Sequence, residues 1–312
     1  MVSEIEVLLA VCNGARWLPE QLRSLREQDD PAFTVLMQDD GSADPSPALL
    51  EAAAREDPRF RFAREGGRHL GAAGNFFSLL RQAEAPYAAL CDQDDVWTRF
   101  RLSRCRTVMT QLEAVHGKDT PLLVHSDCAV TDAEGRVIHN SFMNLQGWDP
   151  AVRALRPLLV QNNVTGCTVL MNRALYTLAA AHADPRRVFM HDWFLAQTAA
   201  AFGAIGYVDA PLVHYRQHGD NAVGASRQGL LARGLRALTH GDEARARIAL
   251  TYDQTQAFLD AFADDLPPGA RRDCEAYLAT RALPKLRRVR RVQQGGWRMQ
   301  SRTARWGQRL FG

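Results

Sequence analysis

The chain has 312 residues, 46% of them hydrophobic and 23% charged, enough for one large core or a core with a smaller annex. Its 38 basic residues are unevenly placed: ten lie in 281–312, where there is no acid, so the remainder carries 28 bases against 35 acids, a net of −7. Residues 1–11 hold Glu4 and Glu6 and no basic run, which excludes a secretory signal there, and the longest apolar stretch, 193–213, is broken by Gln197 and Asp209 and excludes a membrane span. The six cysteines show no short paired spacing, so free, mostly buried thiols in a reducing cytoplasmic setting are expected rather than disulfides or zinc.

Taken in order, an apolar strand over 5–11 runs into Cys12-Asn13-Gly14-Ala15, and a helix over 16–28 places Trp17, Leu18, Leu22 and Leu25 at helical spacing. A second strand, 33–37, ends in Asp39-Asp40-Gly41-Ser42, and a helix over 47–56 and a strand over 59–63 follow. The next loop is glycine-rich and basic (Arg64, Gly66, Gly67, Arg68, Gly71) and leads to a helix over 72–82. A fourth strand, from Tyr87, stops abruptly at Asp92-Gln93-Asp94-Asp95. Four strand–helix alternations in about ninety residues indicate βαβ units on a parallel sheet, an α/β fold.

In such a sheet every strand leaves by the same edge, and ligands bind at that edge. Residues two apart on an extended segment share a face, so Asp92 and Asp94 are expected to face one ligand together. Three acids within four residues call for a cation, and Mg²⁺ or Mn²⁺ is commonly held by one or two carboxylates plus substrate phosphate oxygens. Acids, glycines and arginines collected on one rim suit a nucleotide diphosphate with its metal, with arginine such as Arg68 for phosphate. No Gly-x-x-x-x-Gly-Lys loop is present, and no Gly-x-Gly-x-x-Gly follows the first strand, which excludes P-loop NTPases and dinucleotide enzymes.

Beyond residue 120, strands are expected over 122–130, 137–142, 166–171, 205–209 and 212–215, the last two divided by Pro211, with helices over 173–182 and 193–202. Asp192 precedes the second helix, where a bare N-cap is the bland reading and a lowered pKa its consequence. His214 and His218 are four apart but lie in a strand-to-loop passage with no third ligand, which argues against zinc. Helices dominate from 228, through Leu230, Leu231, Leu235 and Leu238 and then Ile248, Tyr252, Phe258 and Phe262. In the tail, Leu283, Leu286, Val289 and Val292 recur every three residues among arginines. That pattern suits a helix on an anionic membrane surface, and no nucleic-acid recognition motif accompanies it.

Several of these segments, in this order, resemble the landmarks of family 2 glycosyltransferases, most closely the rhamnosyltransferase-like branch. They are Val7 to Gly14, Gln38 to Ser42, Cys91 to Trp97, Val164 to Thr168, Met190 to Trp193 and Tyr215 to Gly219. The similarity extends from about Ile5 to Gly224 and leaves 227–312 uncovered.

The resemblance implies a GT-A fold: a nucleotide-sugar-binding half (1–120), an acceptor and catalytic half (121–226) and a helical extension (227–312) with a basic tail. It implies that Cys12 and Asn13 border the nucleotide and that Asp39 or Asp40 binds the base, Asp40 being favoured. Asp92 and Asp94 match the Asp-x-Asp motif, with Asp94 nearer a Mg²⁺ or Mn²⁺ ion. Asp192 matches the catalytic base, His218 a late ligand of metal or diphosphate, and the role of His191 stays open. The implied reaction is inverting transfer of a sugar, rhamnose from dTDP-rhamnose or a hexose from a UDP donor, to a saccharide or lipid-linked acceptor of a surface polysaccharide. Three rival readings are weaker. Aspartyl-phosphate phosphatases need a lysine near the phosphoryl group, and only Lys118 and Lys285 exist; a glycosidase needs carboxylates on opposite sides of a bond; a non-catalytic binding module would not need Asp192.

Overall fold

A computed structural model describes residues 3–64, 69–218 and 241–311. Arg68, the loop glycines Gly219 and Gly224 and the leucines at 230, 231, 235 and 238 lie outside the described residues. The strands are β1 (Ile5–Val11), β2 (Phe33–Asp39), β3 (Phe60–Phe62), β4 (Tyr87–Asp92), β5 (Val96–Trp97), β6 (Leu122–Thr131), β7 (Val137–His139), β8 (Leu170–Asn172) and β9 (Ala204–Arg216). The helices are α1 (Leu18–Arg26), α2 (Ser46–Glu56), α3 (Gly71–Gln82), α4 (Arg101–His116), α5 (Phe142–Gln146), α6 (Leu155–Leu158), α7 (Arg173–His182), α8 (His191–Phe202), α9 (Gly241–Ala261), α10 (Pro268–Leu278), α11 (Lys285–Gln294) and α12 (Arg302–Phe311).

The strands join in one sheet of order β3-β2-β1-β4-β8-β6-β9-β5, with β7 beside β6. From β3 to β4 all pairings are parallel; beyond β4, β8 is antiparallel to both neighbours, β9 is parallel to β6, and β5 is antiparallel to β9. The expected parallel sheet is therefore confined to the first half, and the whole is mixed. The parallel part follows from the sequence alternation, because each strand there is followed by a helix that crosses back over a face. Along β1 the pleat divides the side chains: Leu8 joins the apolar layer with Phe76, Phe77 and Phe194, while Ile5, Val7, Leu9 and Val11 join Leu18, Leu22, Leu50 and Met109 on the opposite face. Both faces are covered, which is why these strands read as continuous apolar runs.

Four expected strands differ. Of 137–142 only 137–139 are extended, and Phe142 opens α5. Residues 166–168 form a 3₁₀ turn before β8, and 204–216 form one strand across Pro211. β6 accommodates the proline by irregular register at Ser126, Asp127 and Cys128, with Asp127 opposite Pro211. A bulge removes the need for the missing N–H.

The C-terminal helices cover the Leu8 face. Phe258 and Phe262 of α9 are fully buried against Phe194 of α8, the first edge-on at 5.8 Å and the second stacked at 5.7 Å between ring centres. Each such burial contributes about 1.5–3 kcal/mol, enough to tie the extension to the sheet. Among the described residues, no helix is long and apolar enough to cross a membrane.

Candidate active site

The exits of β1, β2 and β4 lie on one edge and are linked by side chains from distant parts of the sequence. After β1, Cys12 N–H donates to Gln93 Oε1 (2.5 Å), and Gln93 Nε2 donates to Cys12 O (2.8 Å). The amide of Gln93 thus fixes the first loop to the acidic one. Asn13 sits in the left-handed region, φ 54°, a conformation asparagine tolerates better than most residues. Its N–H donates to Ser42 Oγ (2.7 Å), and its Oδ1 accepts from Ala43 N–H (2.8 Å), which locks the β1 exit to the β2 exit.

The two aspartates after β2 have different local duties. Asp39 closes its own turn, accepting from the N–H groups of Gly41 (3.0 Å) and Ser42 (2.9 Å) and from Ser42 Oγ (2.5 Å). Asp40 is buried and accepts from Leu70 N–H (2.6 Å) and Gly71 N–H (2.8 Å), holding the N-terminal end of α3. Both oxygens of Asp40, and Oδ1 of Asp39, retain a further lone pair for a ligand, whereas Asp39 Oδ2 already accepts twice.

The acidic loop does not continue the strand. β4 ends at Asp92 and residues 93 and 94 bend, so the two-residue alternation expected for Asp92 and Asp94 does not apply. Asp92 groups instead with Asp95 and Cys167, their ligand atoms all within 4.8 Å of one another. Asp94 Oδ2 turns toward His218 Nε2 at 2.7 Å. The imidazole of His218 stacks on Trp17 (5.4 Å between centroids, 23° between planes). The acidic run points to Asp92 and Asp94 and the family resemblance to His218; neither places Asp95 beside Asp92.

The base expected at Asp192 lies in the first turn of α8, with Met190 as N-cap. Its Oδ1 accepts from Trp193 N–H (2.6 Å) and its Oδ2 from Gly166 N–H (3.1 Å). Those bonds favour the carboxylate, yet burial outweighs them and its pKa is pushed up to about 7. Asp92 is pushed up to about 8, first by burial and then by the negative charges of Asp94 and Asp192. The Asp-x-Asp motif and Asp192, a hundred residues apart in sequence, therefore share one electrostatic site. Gly166 lies between: a Cβ there would stand 3.2 Å from His191 Nε2 and 3.5 Å from Asp192 Oδ2. Burial lowers the pKa of His191 to about 4, so the ring is neutral at physiological pH; it packs on Phe76, centroids 4.3 Å apart.

Two arginines hold this arrangement, and neither was identified as functional from sequence. The backbone N–H of Arg216 donates to Asp95 Oδ1 (3.1 Å), its Nε to Asp94 O (2.9 Å) and its Nη1 to Ala133 O (2.9 Å), while its Nη2 pairs with Glu20. Arg101 is fully buried, with its guanidinium 3.5 Å from the Trp97 ring centre and Nη2 donating to Cys167 O (2.8 Å) and Val169 O (3.2 Å). Trp97 and Trp193 are both buried and serve packing; the indole N–H of Trp193 donates to Leu158 O.

The residues fit a divalent cation. Asp95 Oδ2 is buried with no N–H or O–H donor among the described residues, the Cys167 thiol lying against the same carboxylate, and Asp92 and Asp95 offer the hard oxygen ligands that Mg²⁺ and Mn²⁺ prefer. Burial and neighbouring carboxylates hold the Cys167 thiol well above its ordinary pKa. As a soft sulfur ligand it suits Mg²⁺ or Mn²⁺ less well than the carboxylate oxygens beside it.

The architecture is that of the GT-A glycosyltransferases. The first 349 residues of Staphylococcus aureus TarS, solved with UDP-GlcNAc, superpose with a TM-score of 0.57 at 14% identity, over 99% of this chain and 90% of that one. A mannosyltransferase of Pyrobaculum calidifontis, solved with GDP-Man and Mn²⁺, gives 0.50 at 17% identity over 95% and 80%. Residues 6–118 match the family model described as Glycosyl transferase family 2, and the chain carries a domain of that family. A dTDP-rhamnosyl transferase of Shigella flexneri, RfbG, is 24% identical over 228 residues, 70% of this chain and 74% of that protein. EpsH of Bacillus subtilis, whose assignment as a glycosyltransferase is itself provisional, is 26% identical over 236 residues, 74% of this chain and 66% of its own length.

Proposed function

We propose that the protein is an inverting glycosyltransferase that moves a sugar from a nucleotide diphosphate to a hydroxyl, with Asp192 as general base. The observation that carries this reading is that Asp192 is buried, held by the N–H groups of Gly166 and Trp193, and close enough to the acidic loop for its charge to help raise Asp92. A carboxylate with a pKa near 7 is a more effective proton acceptor at neutral pH than an ordinary aspartate. Asp192 takes the proton of the acceptor hydroxyl as its oxygen attacks the anomeric carbon, and the diphosphate leaves on the opposite face. The N–H groups of Gly166 and Trp193 hold the carboxylate in place for that transfer. One base and a single displacement invert the anomeric centre.

Asp92, Asp94 and Asp95 would hold Mg²⁺ or Mn²⁺ with His218 behind Asp94, and the bound ion would supply neutralisation of charge on the departing diphosphate. In this reading Cys12 and Asn13 border the nucleotide and Asp39 or Asp40 binds the base, Asp40 being favoured. A rhamnose donor carried by dTDP is favoured by the likeness to the Shigella enzyme; a UDP-hexose is the alternative. The acceptor is a saccharide or lipid-linked saccharide destined for a surface polysaccharide. Incubation of the purified protein with a panel of nucleotide sugars, with Mg²⁺ or Mn²⁺ and with chelator, tests the proposal through release of nucleoside diphosphate. No release from any donor with either ion would end it.

A further inference from the structure

The basic tail is folded, and its two helices present different faces. In α11 the three-residue stripe divides: Val292 is buried, whereas Leu286 is 86% exposed beside the exposed Arg287, Arg290 and Arg291. The intervening Trp297 is also buried. Helix α12 is fixed along one side. Ser301 Oγ accepts from Ala304 N–H (3.1 Å), Gln308 Nε2 donates to Trp297 O (2.9 Å), and Phe311 lies 5.9 Å from the Arg245 guanidinium. Its exposed residues are Arg302, Arg305, Trp306, Arg309 and Leu310, the spacing of a single helical face.

Folding leaves that face unexplained. Trp306 is 63% exposed and Leu310 41%, one turn apart, and three arginines frame them with no acid between 281 and 312. Aromatic and aliphatic side chains among arginines match a surface that is apolar beneath and negatively charged above. We propose that this outward face of α12 docks on an anionic phospholipid membrane, with Trp306 and Leu310 entering the headgroup boundary and Arg302, Arg305 and Arg309 meeting lipid phosphates. The outward arginines of α11 add to the attraction. The helix lies along the membrane and does not cross it. The proposal is independent of the sugar-transfer reading, since it draws on no residue of that site.

Flotation of the full-length protein with vesicles tests it. Binding is expected to vesicles of phosphatidylcholine mixed with phosphatidylglycerol and not to phosphatidylcholine alone, and to weaken as salt rises. The double variant Trp306→Ser, Leu310→Ser should lose more than about tenfold in partitioning. The triple variant Arg302→Gln, Arg305→Gln, Arg309→Gln should lose on the order of a hundredfold, about fivefold per arginine. Release of nucleoside diphosphate from a soluble donor should stay unchanged in both. As a readout that needs no multiple variant, brominated lipid should quench wild-type tryptophan fluorescence more than that of Trp306→Phe. Equal binding to both vesicle types, or variants that bind like wild type, would overturn the proposal. So would tight binding of single-stranded RNA that depends on the three arginines but not on Trp306, without vesicle binding.

Discussion

Replacing Asp192 by Asn separates catalysis from stability in a way that a purely structural role would not. In the native state the carboxyl rises from 3.8 to about 7 because it is buried, so the folded protein binds more protons than the unfolded chain across that interval. Stability contributed by this group is therefore greatest below about pH 4 and is lost as pH rises to about 7. At about 1.4 kcal/mol for each pH unit, the ionised native state carries a cost of about 4 kcal/mol. Asn removes the charge and that cost. It also replaces one carboxylate oxygen by an amide group, so one of the two N–H donors, Gly166 or Trp193, loses its acceptor, at about 1–3 kcal/mol.

The net expectation at pH 8 is a variant that is more stable by about 1–3 kcal/mol, with turnover reduced about 10²- to 10⁴-fold by loss of the general base. Urea unfolding of both proteins from pH 4 to 8, alongside nucleoside diphosphate release in the presence of acceptor, measures the two effects. The difference in stability should grow in the variant's favour up to about pH 7 and then level off. The wild-type kcat/KM should fall as pH drops through about 8 to 7, as Asp92 and then Asp192 take up protons. A variant with turnover within tenfold of wild type, or a stability difference that does not vary with pH, would refute the reasoning.

Asp92→Asn and Asp94→Asn should each abolish the rise in Tm produced by nucleoside diphosphate with Mn²⁺, a stabilisation of about 2.7 kcal/mol when ligand is a hundred times its Kd; an undiminished rise would remove these residues from the metal site. Arg216→Lys cannot reach the acceptors on Asp94, Ala133 and Glu20 together, and should cost about 2–3 kcal/mol in urea unfolding. Its KM for donor should rise as the acidic loop loosens. In Gly166→Ala the new methyl lies 3.2 Å from His191 Nε2. A displacement of Asp192 by a few tenths of an ångström should lower kcat about tenfold or more while donor affinity, measured by calorimetry, is kept.

Strand exits were legible in the sequence because apolar runs that end in Asp or Asn-Gly record both burial and the edge at which it stops. Asp92 is read in this way, and Asp192 only through likeness to a known family. The bend after Asp92 was not legible. An acidic quartet looks the same whether extended or turned, and the turn is enforced from afar by Gln93 on Cys12 and by Arg216, more than 120 residues later. Arg101 was equally hidden, since arginine in a helix reads as a solvated residue until its carbonyl partners on the 3₁₀ turn are seen. Pro211 suggested two strands because a proline normally interrupts a ladder, and only the irregular register of β6 shows how it is tolerated. The tail's four aliphatic residues at three-residue spacing read as one stripe, but Val292 is claimed by the core and Leu286 is not.

The antiparallel seam between β4 and β8, with β5 set against β9, stitches early residues to late ones along the sheet. Cutting the gene near codon 120 would thus leave each product with a raw edge and half a catalytic floor. Coexpressed fragments, if they regain activity, should do so only by reassembling side by side, which makes this break a natural place for a split reporter of sugar transfer.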